Sequence, residues 1–245
     1  MTVQSRLALI LGLFGFFTQG CGPSDSAVSN PSAYVSPETA QLAFAKIENI
    51  DYLPFGYKVD GCYARSLFMS MELAADVIPS SAQFAVGDLR PSSEVSWRYH
   101  VVPMLVVGSD SEPTVIDPSL IARPVKRSQW LDVMNTQGFT ELVAVPGSYY
   151  DPYSTPEKSQ EKIIHSFAEL PPFDLEHITR ACRTLNQYLS LENAANFREK
   201  QAKLSSKANS LTLKLIEKGK LSSEGERVRH VDQSINIDCE GSPFD

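Results

Sequence analysis

Residues 60–78 read DGCYARSLFMSMELAADVI, and the apolar residues of that stretch decide how its cysteine is understood. Ala64, Leu67, Phe68, Met71 and Ala75 recur at i, i+3, i+4, i+7 and i+11, which is one stripe of an α-helix. The spacing predicts a helix capped near Asp60 or Gly61, with Cys62 in its first turn. A cysteine there is open to three roles: a small packing residue, half of a disulfide, or a nucleophile. The unpaired N–H groups of a helix N-terminus favour negative charge, and the thiolate is the nucleophilic form. Asp60 opposes this if its carboxylate points at the sulfur.

The chain has 245 residues, 42% hydrophobic and 21% charged, with a formal net charge of −7. That is enough to bury one substantial core. The acidic balance and the lack of a Lys/Arg stripe exclude nucleic acid as the main partner. At the N-terminus, MTVQSRLALILGLFGFFTQGC holds one basic residue, Arg6, then an apolar run from Leu7 to Phe17, then small and polar residues. Residues 1–20 therefore read as a signal peptide, since the apolar run is far shorter than the ~20 residues a spanning helix needs. Gly20-Cys21 resembles the lipobox of bacterial lipoproteins, with Thr18 in the place usually held by leucine. Cys21 is then a lipidation site that anchors the chain to a membrane; the alternative is ordinary cleavage and free secretion. Either way the expected location is the bacterial cell envelope or beyond it. Residues 21–37, rich in Ser, Pro, Asn and Gly, read as a flexible tether.

Beyond the helix, EVSWRYHVVPMLVVG (94–108) reads as one long strand or two broken at Pro103. TVIDPSL (114–120) reads as a second, shorter strand ended by Pro118, and the intervening SDSEP as a turn. This makes the two strands antiparallel neighbours, with Asp117 about four residues out of direct register with His100. Residues 125–145 are mixed. GSYYDPYSTPEK (147–158) is linker-like, and from about Glu157 the pattern turns helical, with Leu175, Ile178, Cys182, Leu185 and Leu189 on one face. Few helix breakers lie between Leu175 and Gly219, so one or two long helices follow. The fold class is α+β, with a core over 38–150 and a helical C-terminal region over 151–245.

His100 is one of four histidines, the others being His165, His177 and His230, and it alone lies in the strand-rich part. Asp117 ends an otherwise apolar strand, an unusual place for an acid without a partner. Nucleophile, base and orienter in the order Cys62, His100, Asp117 is the logic of a catalytic triad. Each residue also has a plainer role: a packing cysteine, a core histidine, an aspartate forming a turn before proline.

Together, DGCYARS, then WRYHVVPMLV, then VIDPSL followed by PV and W resemble the core of the bacterial protein glutaminases (protein-glutamine deamidases). The resemblance covers about residues 50–131. It implies a transglutaminase/papain-like core, in which the nucleophile's helix packs on an antiparallel sheet, with the helical C-terminal region as an extension. It also implies hydrolysis of glutamine side chains in proteins or peptides to glutamate, with release of ammonia. Cys62 would form the thioester, His100 would serve as base and acid, and Asp117 would orient it, with no cofactor. Trp97 and Tyr99 are candidates to line the substrate entrance. A cysteine peptidase or transglutaminase on the same scaffold shares this triad, and a non-enzymatic envelope lipoprotein with a partner-binding helical tail is the remaining alternative. Cys182 and Cys239 are left over, either as a disulfide suited to an oxidising compartment or as two free thiols. No histidine or cysteine spacing suggests a metal site, and the three other histidines read as surface or helix-packing residues.

Overall fold

The structure is a computed structural model that describes residues 34–110, 112–192, 195–222 and 236–242. The leader, Cys21, most of the tether and His230 lie outside the described residues.

The first helix, α1 (Pro37–Glu48), begins where the Ser36 hydroxyl accepts from the Thr39 N–H at 3.1 Å and Pro37 supplies a preset φ. It leads through a loop to α2 (Cys62–Ala75), whose N-cap is Gly61 in the left-handed region at φ 82°. All fourteen residues of α2 are buried, including Arg65, Ser66, Ser70 and Glu72. The single apolar stripe thus understates this helix. It is covered on every side, as a core helix is, by a sheet on one flank and by two later helices on the other.

The sheet has the order β4-β3-β2-β1-β5. Its centre is β1 (Ser81–Leu89), paired antiparallel with β2 (Trp97–Leu105) and with β5 (Gln137–Pro146). Two short strands, β3 (Thr114–Val115) and β4 (Val125–Lys126), complete the β2 edge, and α3 (Arg127–Val133) follows directly. Ala82, Phe84, Val101 and Val143 join the core around α2. Ala85, Val102, Met104 and Ala144 join a second core around Trp130 on the other face. A sheet buried on both faces lacks the alternation of polar and apolar residues that marks a half-exposed strand.

Pro103 does not break β2. It pairs with Ala82, and its carbonyl accepts from the Ile116 N–H at 2.9 Å. The N and C=O of one strand residue face the same neighbour, so the missing donor falls on the β3 side, where pairing is already ending. Met104 opposes Val115 and Leu105 opposes Thr114. Continuing that register sets Asp117 against Val102, two residues from His100 rather than about four.

Residues 157–174 are not helical as the pattern predicts. They run irregularly, with short 3₁₀ turns at Lys158–Gln160 and Phe167–Glu169. Pro171 and Pro172 bar helix from entering before Leu175. The Lys162 and Ile164 N–H groups are held instead by the Ala144 carbonyl and the Ser81 hydroxyl. Two long helices, α4 (Leu175–Glu192) and α5 (Phe197–Glu217), then pack on each other and on α2. Cys182 of α4 is disulfide-bonded to Cys239.

Candidate active site

The turn ahead of α2 is held from below and behind. Arg65, one helical turn past Cys62, donates through Nη1 to the carbonyls of Pro54 (3.3 Å), Tyr57 (2.9 Å) and Asp60 (3.1 Å). Gly61 adopts a positive φ that a side chain would strain, and a Cβ there would come within 2.4 Å of the Tyr188 ring. Asp60 does not stand free beside the sulfur. Its carboxylate accepts from the Gly61 N–H at 2.6 Å and from the Tyr188 hydroxyl, on α4, at 2.8 Å.

Cys62 is a free, buried thiol in the first turn of α2, among the N–H groups that lack intrahelical partners. It lies close enough to His100 of β2 to favour the charged imidazole, and the two residues line one cleft. The His100 Nε2 lies 2.9 Å from Asp117 Oδ2, so the nitrogen left for Cys62 is Nδ1. The ring stacks on Trp97, with centroids 4.6 Å apart, and lies 5.8 Å from Trp130. These walls exclude water and fix the plane of the imidazole.

Asp117 is almost wholly inaccessible, yet four donors reach it. Oδ2 accepts from His100 and from the Trp130 Nε1–H at 2.9 Å; Oδ1 accepts from the Ser119 N–H at 3.1 Å and from the Ser119 hydroxyl. Burial alone would favour the neutral acid, but the His100 charge and these hydrogen bonds outweigh it and hold the carboxyl below its ordinary value. Burial likewise opposes charge on His100. The Asp117 carboxylate and its hydrogen bond, with Cys62 adding to them, prevail and raise the imidazole to about 9. With Nε2–H committed to Asp117, Nδ1 is the nitrogen left to exchange a proton.

Cys62 and His100 open into a cleft of about 370 Å³, which Trp97 and Tyr99 also line. The Trp97 Nε1–H donates to the Lys58 carbonyl at 2.7 Å, which ties the loop to β2, and Tyr99 stacks on Phe84. Reasoning from sequence gave no role to Trp130, Ser119, Arg65 or Tyr188. Ser119 had a local signal, because a serine two residues after an aspartate commonly closes a turn on it. Tyr188 had none, being 128 residues from the carboxylate it meets. Among the described residues, no group of three or more His, Cys, Asp or Glu side chains converges to hold a metal ion.

Residues 40–134 match the family model described as glutaminase. That stretch belongs to the glutaminase family. It contains Cys62, His100, Asp117, Ser119 and Trp130, and it stops short of α4 and α5. Among solved structures, the NMR structure of protein-glutaminase from Chryseobacterium proteolyticum is 26% identical, covers 54% of this chain and 80% of its own, and has a TM-score of 0.44. A crystal structure of protein-glutaminase is 27% identical, with coverage of 51% and 80% and a TM-score of 0.43. A mutant of pro-protein-glutaminase, at 24% identity and a TM-score of 0.50, covers 67% of this chain and 62% of its own. That last likeness bears on the fold, which is the helix-on-antiparallel-sheet arrangement of the transglutaminase kind. No curated protein matches the chain.

Proposed function

We propose that this glutaminase-family protein deamidates glutamine side chains in proteins or peptides, with Cys62 as nucleophile, His100 as acid and base, and Asp117 as orienter. The observation that carries the reading is His100 itself, which bonds Asp117 through Nε2 and shares a solvent-reachable cleft with Cys62. In this scheme Nδ1 takes the thiol proton, and the sulfur attacks the glutamine δ-carbon. The carbonyl oxygen becomes an oxyanion, for which the Cys62 N–H is a natural donor; one such donor contributes about 3 kcal/mol to the transition state. The C–N bond then breaks as the imidazolium gives its proton to the leaving nitrogen, and ammonia departs. A water enters, His100 takes its proton, and the thioester opens to glutamate with return of the thiolate.

The test is ammonia release from a glutamine-rich protein. The wild type should release ammonia without cleaving the chain or incorporating an added amine. Cys62→Ala should release none while keeping its thermal transition. Ammonia release that survives in Cys62→Ala would end this reading, and amine incorporation would move the activity to acyl transfer.

A further inference from the structure

The charge around the cleft is opposite in sign to that of the chain as a whole. Lys58, Arg65 and Arg98 line it, against Asp60 as its one lining carboxylate, in a protein of net charge −7. The Asp60 carboxylate, held by the Gly61 N–H and the Tyr188 hydroxyl, offsets one of the three cations. Arg65 is only 3% exposed, yet its hydrogen bonds go to three backbone carbonyls and none to a carboxylate. A buried guanidinium without a counter-charge is costly, and Asp60 supplies one to Arg65 at the mouth of the cleft. Lys58 and Arg98 are exposed, and neither forms an ion pair with a described residue. The bond from Trp97 to the Lys58 carbonyl brings the loop of Lys58 to the strand that carries Arg98. Arg90, which lines a neighbouring pocket that also reaches Ser96, is paired with Asp88.

Resting on the deamidase reading, we infer that the cleft selects glutamines flanked by acidic residues, so that the preferred substrates are acidic segments of proteins. Lys58 and Arg98 meet carboxylates flanking the glutamine, while Asp60 offsets Arg65 beneath them. Clefts lined by one sign of charge raise local substrate concentration and association rates. The selectivity therefore appears in kcat/KM, through KM and the rate of capture, and weakens with salt.

Three capped peptides test this, sharing one glutamine and differing only in flanking residues: Glu, Ser or Lys. At low ionic strength the kcat/KM for ammonia release should fall in the order Glu, Ser, Lys, with about tenfold between the extremes. At about 0.5 M salt the spread should shrink, as the Debye length drops towards a few ångströms. A Lys58→Glu/Arg98→Glu double variant, checked for folding by circular dichroism, should invert the order. Calorimetry with Cys62→Ala protein should show the same ranking in binding, which separates the two readings. If no peptide yields ammonia, the deamidase reading fails while the binding order still decides the charge selection. Equal kcat/KM and equal binding for the three peptides, or an order indifferent to the double variant, would overturn the inference.

Discussion

Glu72, near the C-terminal end of α2, and Asp117, just past β3, are both nearly inaccessible to solvent and both sit against a cation. Glu72 meets Lys46 of α1 at 2.9 Å and accepts from the Tyr52 hydroxyl at 2.6 Å. Asp117 meets His100 at 2.9 Å and accepts from Trp130 and Ser119. The plan is shared, a carboxylate with one cation and neutral donors, but the cations differ. Lys46 is a third exposed, also pairs with Asp76, and has nothing beyond it to act on. His100 is 2% exposed, and it lines the same cleft as the Cys62 thiol. A permanently charged partner ties two helices together, whereas a titratable partner with a second nitrogen passes the carboxylate's influence on to a sulfur. Burial and pairing look alike at the two carboxylates; what lies on the far side of the cation is where they differ.

The sharpest way to break that comparison is to neutralise each carboxylate in turn. Asp117→Asn should lower kcat for ammonia release by about 10³–10⁴-fold, because an amide presents the wrong partner to Nε2–H and unsettles the tautomer that leaves Nδ1 open. Glu72→Gln should leave kcat within about threefold and cost about 2 kcal/mol of stability. That figure sits below the usual penalty for breaking a buried pair, since Lys46 retains Asp76 and some water. Steady-state kinetics and thermal melts on both variants check this. A comparable loss of rate in Glu72→Gln would erase the distinction.

Smaller substitutions sharpen it. Trp130→Phe keeps an aromatic wall on His100 but removes a donor from Asp117, and should reduce kcat about tenfold, in line with the 1.5–3 kcal/mol of a hydrogen bond to a charged group. Trp130 helps hold the Asp117 carboxyl below its ordinary value. Without that donor the carboxyl takes up its proton at higher pH, so the acid unfolding midpoint should rise. Tyr52→Phe makes the matching change at Glu72 and should cost about 1 kcal/mol with no change in rate. A tenfold rate loss from Tyr52→Phe, or none from Trp130→Phe, would show that the neutral donors do not follow their carboxylates.

How much of this was legible in the sequence differs from residue to residue. Cys62, His100 and Asp117 stand in short stretches with strong local character: a glycine before a helical stripe, a β-branched run, an acid ending an apolar strand. Their helix and the strand of His100 lie where those patterns put them, but the strand ahead of Asp117 is only Thr114–Val115. The central strand β1 went unread: Ser81, Gln83 and Ala85 lie on one face and Ala82 and Phe84 on the other, and both faces are buried, so its polar residues mark no solvent side. The register of Asp117 was misjudged by two residues, since counting through a turn takes no account of a strand that pairs for only two residues. Trp130 and Tyr188 belong to the site solely through tertiary contacts, and a hydrogen bond across 128 residues leaves no local trace. The 3.6-residue pattern extended past Pro171 and Pro172 for the same reason in reverse: apolar spacing was present, and backbone anchoring to Ala144 and Ser81 overrode it.

The mildest test separates the two cations by pH alone. His100 is raised from 6.5 to about 9. A group whose folded pKa exceeds its unfolded value gives stability that is fully present below the unfolded pKa and is lost as pH rises through the folded one. The His100–Asp117 pair should therefore support the fold undiminished at pH 6 and lose that support by pH 9.5, lowering Tm by roughly 5 °C. On Lys46, burial opposes the charge, but Asp76 and Glu72 overcome it and push the ammonium above its usual 10.5. Its contribution is unchanged across the same interval. Differential scanning calorimetry at pH 6 and 9.5 on wild type, His100→Gln and Lys46→Met should show the fall in wild type and Lys46→Met, and its near absence in His100→Gln. Ammonia release should decline over the same alkaline range, because the leaving nitrogen needs the imidazolium proton. If Tm falls equally in all three proteins, the alkaline transition belongs to another group, and His100 titrates outside this window.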